Sequence, residues 1–227
     1  MFDFEKDLAK IDGWLTKREG SFLYEIAKKV QPPNVIVEIG SWKGKSTICL
    51  AKGSEAGHKA AVYAIDPHTG SPEHHQKFGK IDTFHEFRLN LKKAEVDHRV
   101  HPFRSASQDA VKSFNSPIGF LFIDGNHSIK AVRADFHLWF PKVEEGGIIA
   151  FHDSWHSDGP IVVSARALLT SPKIKNPGVV DSITHFEKVF KNNHGDRLKN
   201  ILFLTYRSPL GAMSFVDSHL KELKILS

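Results

Sequence analysis

A unit that recurs along the chain limits the fold most. A short β-branched or aliphatic run is followed by a polar segment and then by apolar residues at helical spacing. The runs are Asn34-Val35-Ile36-Val37-Glu38-Ile39-Gly40, Ala61-Val62-Tyr63-Ala64-Ile65-Asp66, a weaker one from His98 to Phe103, Ile118-Gly119-Phe120-Leu121-Phe122-Ile123-Asp124 and Gly147-Ile148-Ile149-Ala150-Phe151-His152. Near-continuous apolar runs mark parallel strands covered on both faces. Helices are expected between them. One starts near Lys45-Ser46-Thr47 and runs to Gly53, and a second carries Ile81, Phe84, Phe87, Leu91 and Ala94. A short one covers Gln108 to Phe114, and Ile129, Val132, Phe136, Trp139 and Phe140 line a fourth that Pro141 ends. Alternation in this order predicts an α/β fold with a doubly wound, mainly parallel sheet and helices on both faces.

The chain of 227 residues is expected to form one domain. Residues 1–33 form an amino-terminal helical segment, in which Phe22, Leu23, Ile26, Ala27 and Val30 repeat at helical spacing before Pro32-Pro33 stop it. Residues 34–155 form the core. Residues 156–227 add a helix around Val162 to Leu169, strand-like segments near Val179 to Phe186 and Ile201 to Tyr206, and an amphipathic stretch from Val216 to Leu226. The two late strands, placed at the sheet edge, bring the expected total to seven.

With 41% hydrophobic and 25% charged residues the chain belongs with neither disordered nor fibrous proteins. The formal charge of +5 is scattered, apart from Lys92-Lys93 and the surroundings of Lys173 and Lys175, so no nucleic-acid partner is expected. No run approaches the roughly 18 apolar residues of a membrane span, and the acidic start Met1 to Asp7 has no apolar core of a signal peptide. The lone Cys49 forbids an internal disulfide and fits a cytoplasmic location. Among apolar helix neighbours it reads as an inert buried thiol.

Ligands of open parallel sheets bind beyond the carboxyl ends of the strands. Those ends read Glu38, Asp66, Arg104-Ser105, Asp124 and His152-Asp153. Any one of these can mark the end of burial or cap a helix; the set points to a site. In Glu38-Ile39-Gly40-Ser41-Trp42-Lys43-Gly44-Lys45-Ser46-Thr47, Gly40 and Gly44 allow a tight turn and close approach of a ligand to bare backbone. Tryptophan at position 42 breaks the Gly-x-Gly-x-x-Gly dinucleotide fingerprint, and the glycine-to-lysine spacing is too short for a P-loop. Asp66 can accept both hydroxyls of a ribose, or simply turn the chain before Pro67.

Taken together, Glu-Ile-Gly-Ser-x-x-Gly-x-Ser-Thr, Ala-Ile-Asp-Pro, Phe-Ile-Asp-Gly-Asn-His-Ser and Glu-Gly-Gly-Ile-Ile-Ala-Phe-His-Asp resemble the class I S-adenosylmethionine-dependent methyltransferases over about residues 20 to 155. The pattern is most similar to the small-molecule O-methyltransferases of catechol and macrocin type. That resemblance implies a Rossmann-like fold, S-adenosyl-L-methionine as cofactor and a small-molecule acceptor bearing a sugar or phenol hydroxyl. It places Glu38, Gly40 and Ser41 at the methionine part of the cofactor, with Gly44 and Ser46 in the same turn. Asp66 falls at the ribose, and Ser105, Ala106, Ser107 and Gln108 beside the adenine. Asp124 borders the reacting end.

A sulfonium is already an activated methyl donor, so the protein must align the acceptor oxygen and help remove its proton. Asp124 and His127 leave the fourth strand together, and an imidazole of ordinary pKa near 6.5 can take that proton. In the macrocin-type enzymes a histidine at the matching place is the proposed base; the other reading of His127 is a helix cap. Relatives of both types hold magnesium with acids after strands four and five. Asp124 and Asp153 match, whereas His152 stands where relatives commonly have an acid or amide. Imidazole suits a transition metal better than magnesium. His156 and His74-His75 are further candidate ligands. A divalent metal therefore stays open, as does metal-free acid–base chemistry by His127, His152 and Asp124.

The loop from Pro67 to Lys80 is either a lid or a solvated loop, and Trp42 and Trp155 are expected at the rim. A nicotinamide-dependent oxidoreductase and a catalytically silent relative serving in a complex remain the alternatives. Homodimerisation is common in such folds, though no stretch here marks an interface.

Overall fold

A computed structural model describes residues 4, 8, 10–71, 75 and 79–207. The five expected runs are strands: β1 (Val35–Ile39), β2 (Val62–Ile65), β3 (Val100–Phe103), β4 (Ile118–Ile123) and β5 (Val143–Phe151). With β6 (Ile174–Val180) and β7 (Ile183–Lys188) they form one seven-stranded sheet in the order β3-β2-β1-β4-β5-β7-β6. The first five pair in parallel, and β7 runs antiparallel to both its neighbours. Strand order reverses between β1 and β4, which opens a crevice at their carboxyl ends. Register keeps the rim level: Ile39 faces both Ile65 and Ile123, and Ile123 faces Phe151.

Seven α-helices accompany the sheet among the described residues: α1 (Lys17–Ala27), α2 (Lys45–Ala56), α3 (Phe84–Lys93), α4 (Ser107–Ser113), α5 (Ile129–Trp139), α6 (Asp158–Thr170) and α7 (His194–Arg207). Alternate residues of each strand point to opposite faces, and the core divides accordingly. Phe120 and Phe122 join Ile36, Leu23, Ile48 and Phe87 under α1, α2 and α3. Leu121 and Ile123 join Val37, Val132, Trp139 and Leu168 under α5 and α6.

Two glycines show where elements meet through bare backbone. Gly40 has φ +86°, and a Cβ there would lie 2.1 Å from the Asp124 carbonyl oxygen. The loops after β1 and β4 therefore touch through bare backbone, locked by Asp124 N–H donating to Ile39 O at 2.8 Å. Gly53 does not end α2, as the sequence suggested, but sits inside it. Its missing side chain admits the α1 backbone, since a Cβ would meet Tyr24 O at 2.2 Å.

The last third differs most from expectation. The segment from Ile201 to Tyr206, read as a strand, lies in α7. Asn193 and Asp196 exchange side-chain-to-amide bonds of 3.0 and 2.9 Å that start this helix, and so short an apolar run cannot tell helix from strand. Val179 to Phe186 is a hairpin, turned at Asp181 in a left-handed conformation (φ +48°). The amphipathic stretch Val216 to Leu226 lies outside the described residues. No described helix is long and apolar enough to cross a membrane.

Candidate active site

A cavity of about 590 Å³ opens over the carboxyl ends of β1, β2 and β4. That volume is in the range of small-molecule and cofactor pockets. Gly40, Ser41, Trp42 and Ser46 form one wall, Asp66 and Pro67 the next, and Ala106, Ser107, Gln108 and Asp135 the far end. Asp124, His127, His152, Asp153 and His156 close the end nearest β5, while Asp12, Gly13, Trp14 and Leu15 reach over from the amino terminus. Trp42, His68 and Asp153, on the loops after β1, β2 and β5, have φ of +46°, +59° and +51°. Non-glycine residues in the left-handed region collect at functional loops.

Asp66 caps the glycine turn. Its Oδ2 accepts the amides of Ser41 and Trp42 at 2.9 and 2.8 Å, and its Oδ1 accepts that of His68 at 2.6 Å. A carboxylate has about four acceptor positions, so one remains for a ligand hydroxyl. Ser41 Oγ, on the cavity wall, is buried without a hydrogen-bond partner. At the far end Ser107 donates its hydroxyl to the buried Asp135. Burial raises the Asp135 carboxyl to about 6 against that bond.

Glu38, Gly44 and Ser105, expected at the cofactor, are not among the cavity-lining residues. Glu38 is fully buried beneath the turn and accepts the Thr47 hydroxyl. Burial, with lesser contributions from the charges of Asp124 and Asp66, raises its carboxyl from 4.5 to about 8 despite bonds from Ser46 and Thr47. The folded state thus keeps a proton that the unfolded chain loses first. Stability from this proton is complete below about pH 4.5 and is lost as pH rises through about 8. Replacing Glu38 by glutamine should flatten that loss: urea unfolding at pH 5 and pH 8.5 should show the variant gaining on wild type by a few kcal/mol at the higher pH. Parallel pH curves for the two proteins would refute a protonated Glu38.

His152 lies at the centre of the charged end, 3% exposed. Its Nδ1 is 3.2 Å from Asp124 Oδ1 and 3.4 Å from Asp153 Oδ2, and its Nε2 is 3.4 Å from Glu19 Oε2. Burial opposes a charge on the ring, but the carboxylates, Asp124 first, hold His152 far above the usual histidine range. Burial also opposes ionisation of Asp124, and His152 and His127 nevertheless hold it below the ordinary aspartate value. Asp124, His152 and Asp153 each offer a ligand atom, all within 4.8 Å of one another.

His127 Nε2 stands 3.4 Å from Asp153 Oδ2 and 3.9 Å from Asp124 Oδ1. It is not the helix cap: Ser128 caps α5 by accepting the Ala131 amide at 3.3 Å. The His127 ring lines the cavity.

Sequence reasoning missed three parts of the site and its surroundings. Glu19 reads locally as the second half of a Thr16–Glu19 capping box, which it is. Asp135 was visible as an acid on the apolar stripe of α5, between Val132 and Phe136. Nothing marked Asp12 to Leu15. At the rim Trp14 faces Trp42, with ring centroids 6.2 Å apart. His75 hydrogen-bonds Thr69 O and stands apart from the cavity; His74 and part of the loop from Pro67 to Lys80 lie outside the described residues.

This sheet order, with one antiparallel strand and a crevice over β1, β2 and β4, defines the class I S-adenosylmethionine-dependent methyltransferase fold. Residues 37–154 match the profile of a methyltransferase domain, and the chain belongs to that family. Two curated relatives are uncharacterized proteins. One is y4gI of Sinorhizobium fredii, 29% identical over 143 residues, or 62% of this chain. The other is R132 of Acanthamoeba polyphaga mimivirus, 28% identical over 120 residues, or 52% of this chain. The chain spans 15% and 50% of their lengths. Among solved structures, the O-methyltransferase NovP superposes with a TM-score of 0.64 at 16% identity, covering 76% of this chain and 80% of that one. An O-methyltransferase from Bacillus cereus in complex with SAH superposes at 0.57 and 19% identity, covering 82% and 90%. Cofactor-bound Rv0187 from MTB does so at 0.59 and 20% identity, covering 83% and 87%.

Proposed function

We propose that the chain transfers the methyl group of S-adenosylmethionine to a hydroxyl of a small molecule. The observation that carries this reading is one cavity lined at one end by Asp66 and the Gly40–Trp42 turn and at the other by Asp124 and His127. The cofactor fits the residues present: Asp66 keeps an acceptor position for a ribose hydroxyl, and the unpartnered Ser41 Oγ can meet the methionine end. Trp14 and Trp42 form an apolar lip against which an acceptor ring can lie. His127 is the base that takes the acceptor proton.

Asp124, His152 and Asp153 would hold a divalent cation, which acidifies a bound hydroxyl and fixes its direction. The buried His152 Nδ1, without a hydrogen-bond partner and facing two carboxylates, fits that role. The single buried Cys49 fits a reducing compartment, and the cytoplasm is the proposed location.

Calorimetric titration with S-adenosylmethionine and S-adenosylhomocysteine, with NAD as control, tests the cofactor. Asp66→Ala should weaken both sulfur ligands by about 1.5–3 kcal/mol, the usual loss for hydrogen bonds to a charged group. Tighter binding of NAD would restore the oxidoreductase reading. Cofactor binding without turnover on any hydroxylated acceptor would leave a silent relative.

A further inference from the structure

The cluster around His152 has a member outside the stretch that matches the family profile. Glu19, on α1 and 1% exposed, has both carboxylate oxygens engaged. Oε1 accepts the Ser182 amide at 2.8 Å and the Ser182 hydroxyl at 2.6 Å. Oε2 accepts the Thr16 amide at 2.8 Å and faces His152 Nε2 at 3.4 Å. Three N–H and O–H donors already use both Glu19 oxygens as acceptors, so the ring atom that Oε2 meets is placed to give it an N–H from Nε2.

The other ring nitrogen then has a defined task. Nδ1 is buried, makes no hydrogen bond, and lies 3.2 and 3.4 Å from carboxylate oxygens of Asp124 and Asp153. Two carboxylates facing one ring nitrogen call for positive charge among the three: a ring proton supplies it in the empty site, and a cation replaces that proton when Nδ1 ligates, since metal binding to imidazole releases the proton. Imidazoles that ligate metals almost always give their second N–H to a carboxylate or carbonyl, which fixes tautomer and ring direction.

We propose that Glu19 is a positioning residue that holds His152 in its Nε2-protonated form, so that Nδ1 completes with Asp124 and Asp153 a three-ligand site for a divalent transition cation such as manganese(II). The inference rests on the cation reading above and adds the residue that directs the ligand. One nitrogen and two carboxylates favour a borderline cation over magnesium, which prefers oxygen throughout. Glu19 and Ser182 both lie outside residues 37–154, so the profile match does not contain this support.

The full chain is titrated with manganese(II) while free manganese is read by electron paramagnetic resonance, and S-adenosylhomocysteine affinity is measured in parallel. Wild type is expected to bind one manganese. Glu19→Gln should weaken it about 10–100-fold, as loss of a carboxylate behind a ligating histidine does, with little change for S-adenosylhomocysteine. In a His152→Asp background there is no ring to orient, and Glu19→Gln should then change nothing further. Should Glu19→Gln not fold, Glu19→Asp withdraws the carboxylate from Nε2 while keeping its charge and carries the same test. Tight manganese binding that ignores Glu19, or an equal loss in the His152→Asp background, would overturn the positioning role and leave the cation site standing. No manganese binding to wild type would overturn the cation reading itself, and this inference with it.

Discussion

Replacing His127 by alanine is expected to lower kcat by about 10²–10⁴-fold, the usual worth of a positioned general base, while S-adenosylhomocysteine binds nearly as well as before. The ring reaches into the cavity, 3.4 Å from Asp153 Oδ2. The backbone beneath it is secured without the ring. Ser128 caps α5, and the His127 carbonyl accepts the Gly159 amide at 3.1 Å. Removing the imidazole should therefore take away proton transfer while leaving the backbone in place. Single-turnover rates with preloaded cofactor read the chemical step directly. A variant within a few-fold of wild type would mean that His127 is not the base, and that His156 takes the proton or water does from a hydroxyl acidified by a cation.

Gly40→Ala should destabilise the protein by about 2–5 kcal/mol. A side chain in the left-handed region costs about 1–2 kcal/mol, and overpacking at a closed contact adds typically 1–3 kcal/mol. The new Cβ would lie 2.1 Å from the Asp124 carbonyl oxygen and 2.8 Å from Gly125 Cα. Neither is the movable end of a side chain, so the loops after β1 and β4 must part. Cofactor affinity should fall as well, because those loops carry Ser41 and Asp124 on opposite walls of the cavity. Urea unfolding measures the first effect and calorimetry the second. An alanine variant as stable as wild type would show that the two loops have more freedom than this contact allows.

How far the sequence foretold these features depended on the range of the interaction. Buried parallel strands need uninterrupted apolar residues, so β1, β2 and β4 were visible in their own composition, and the crevice followed from the order of the strands. Asp66, Asp124, His127 and Asp153, which line the cavity, were legible because each closes a strand or follows one closely. Closing a strand does not say on which side of the turn a carboxylate falls, and Thr47 draws Glu38 under α2. Glu19 escaped because its local explanation as a helix cap was sufficient, and the contact with His152 is 133 positions away. α7 was mistaken for a strand because its exposed Leu198, Ile201 and Leu202 resemble a buried run when seen without their surroundings.

The bond between Glu19 and Ser182 spans 163 positions and bears on how the protein is made. On a ribosome adding about 5–20 residues per second, the first helix waits on the order of ten to thirty seconds for the turn that receives its carboxylate. Until then an acid destined for complete burial stays in water, and His152, once synthesised, has nothing to fix its ring. The nascent chain can assemble its sheet from β1 to β5, yet its charged centre is finished only when β7 arrives. A transcript truncated before Ser182 would thus yield a chain with most of its strands and an unfinished charged centre.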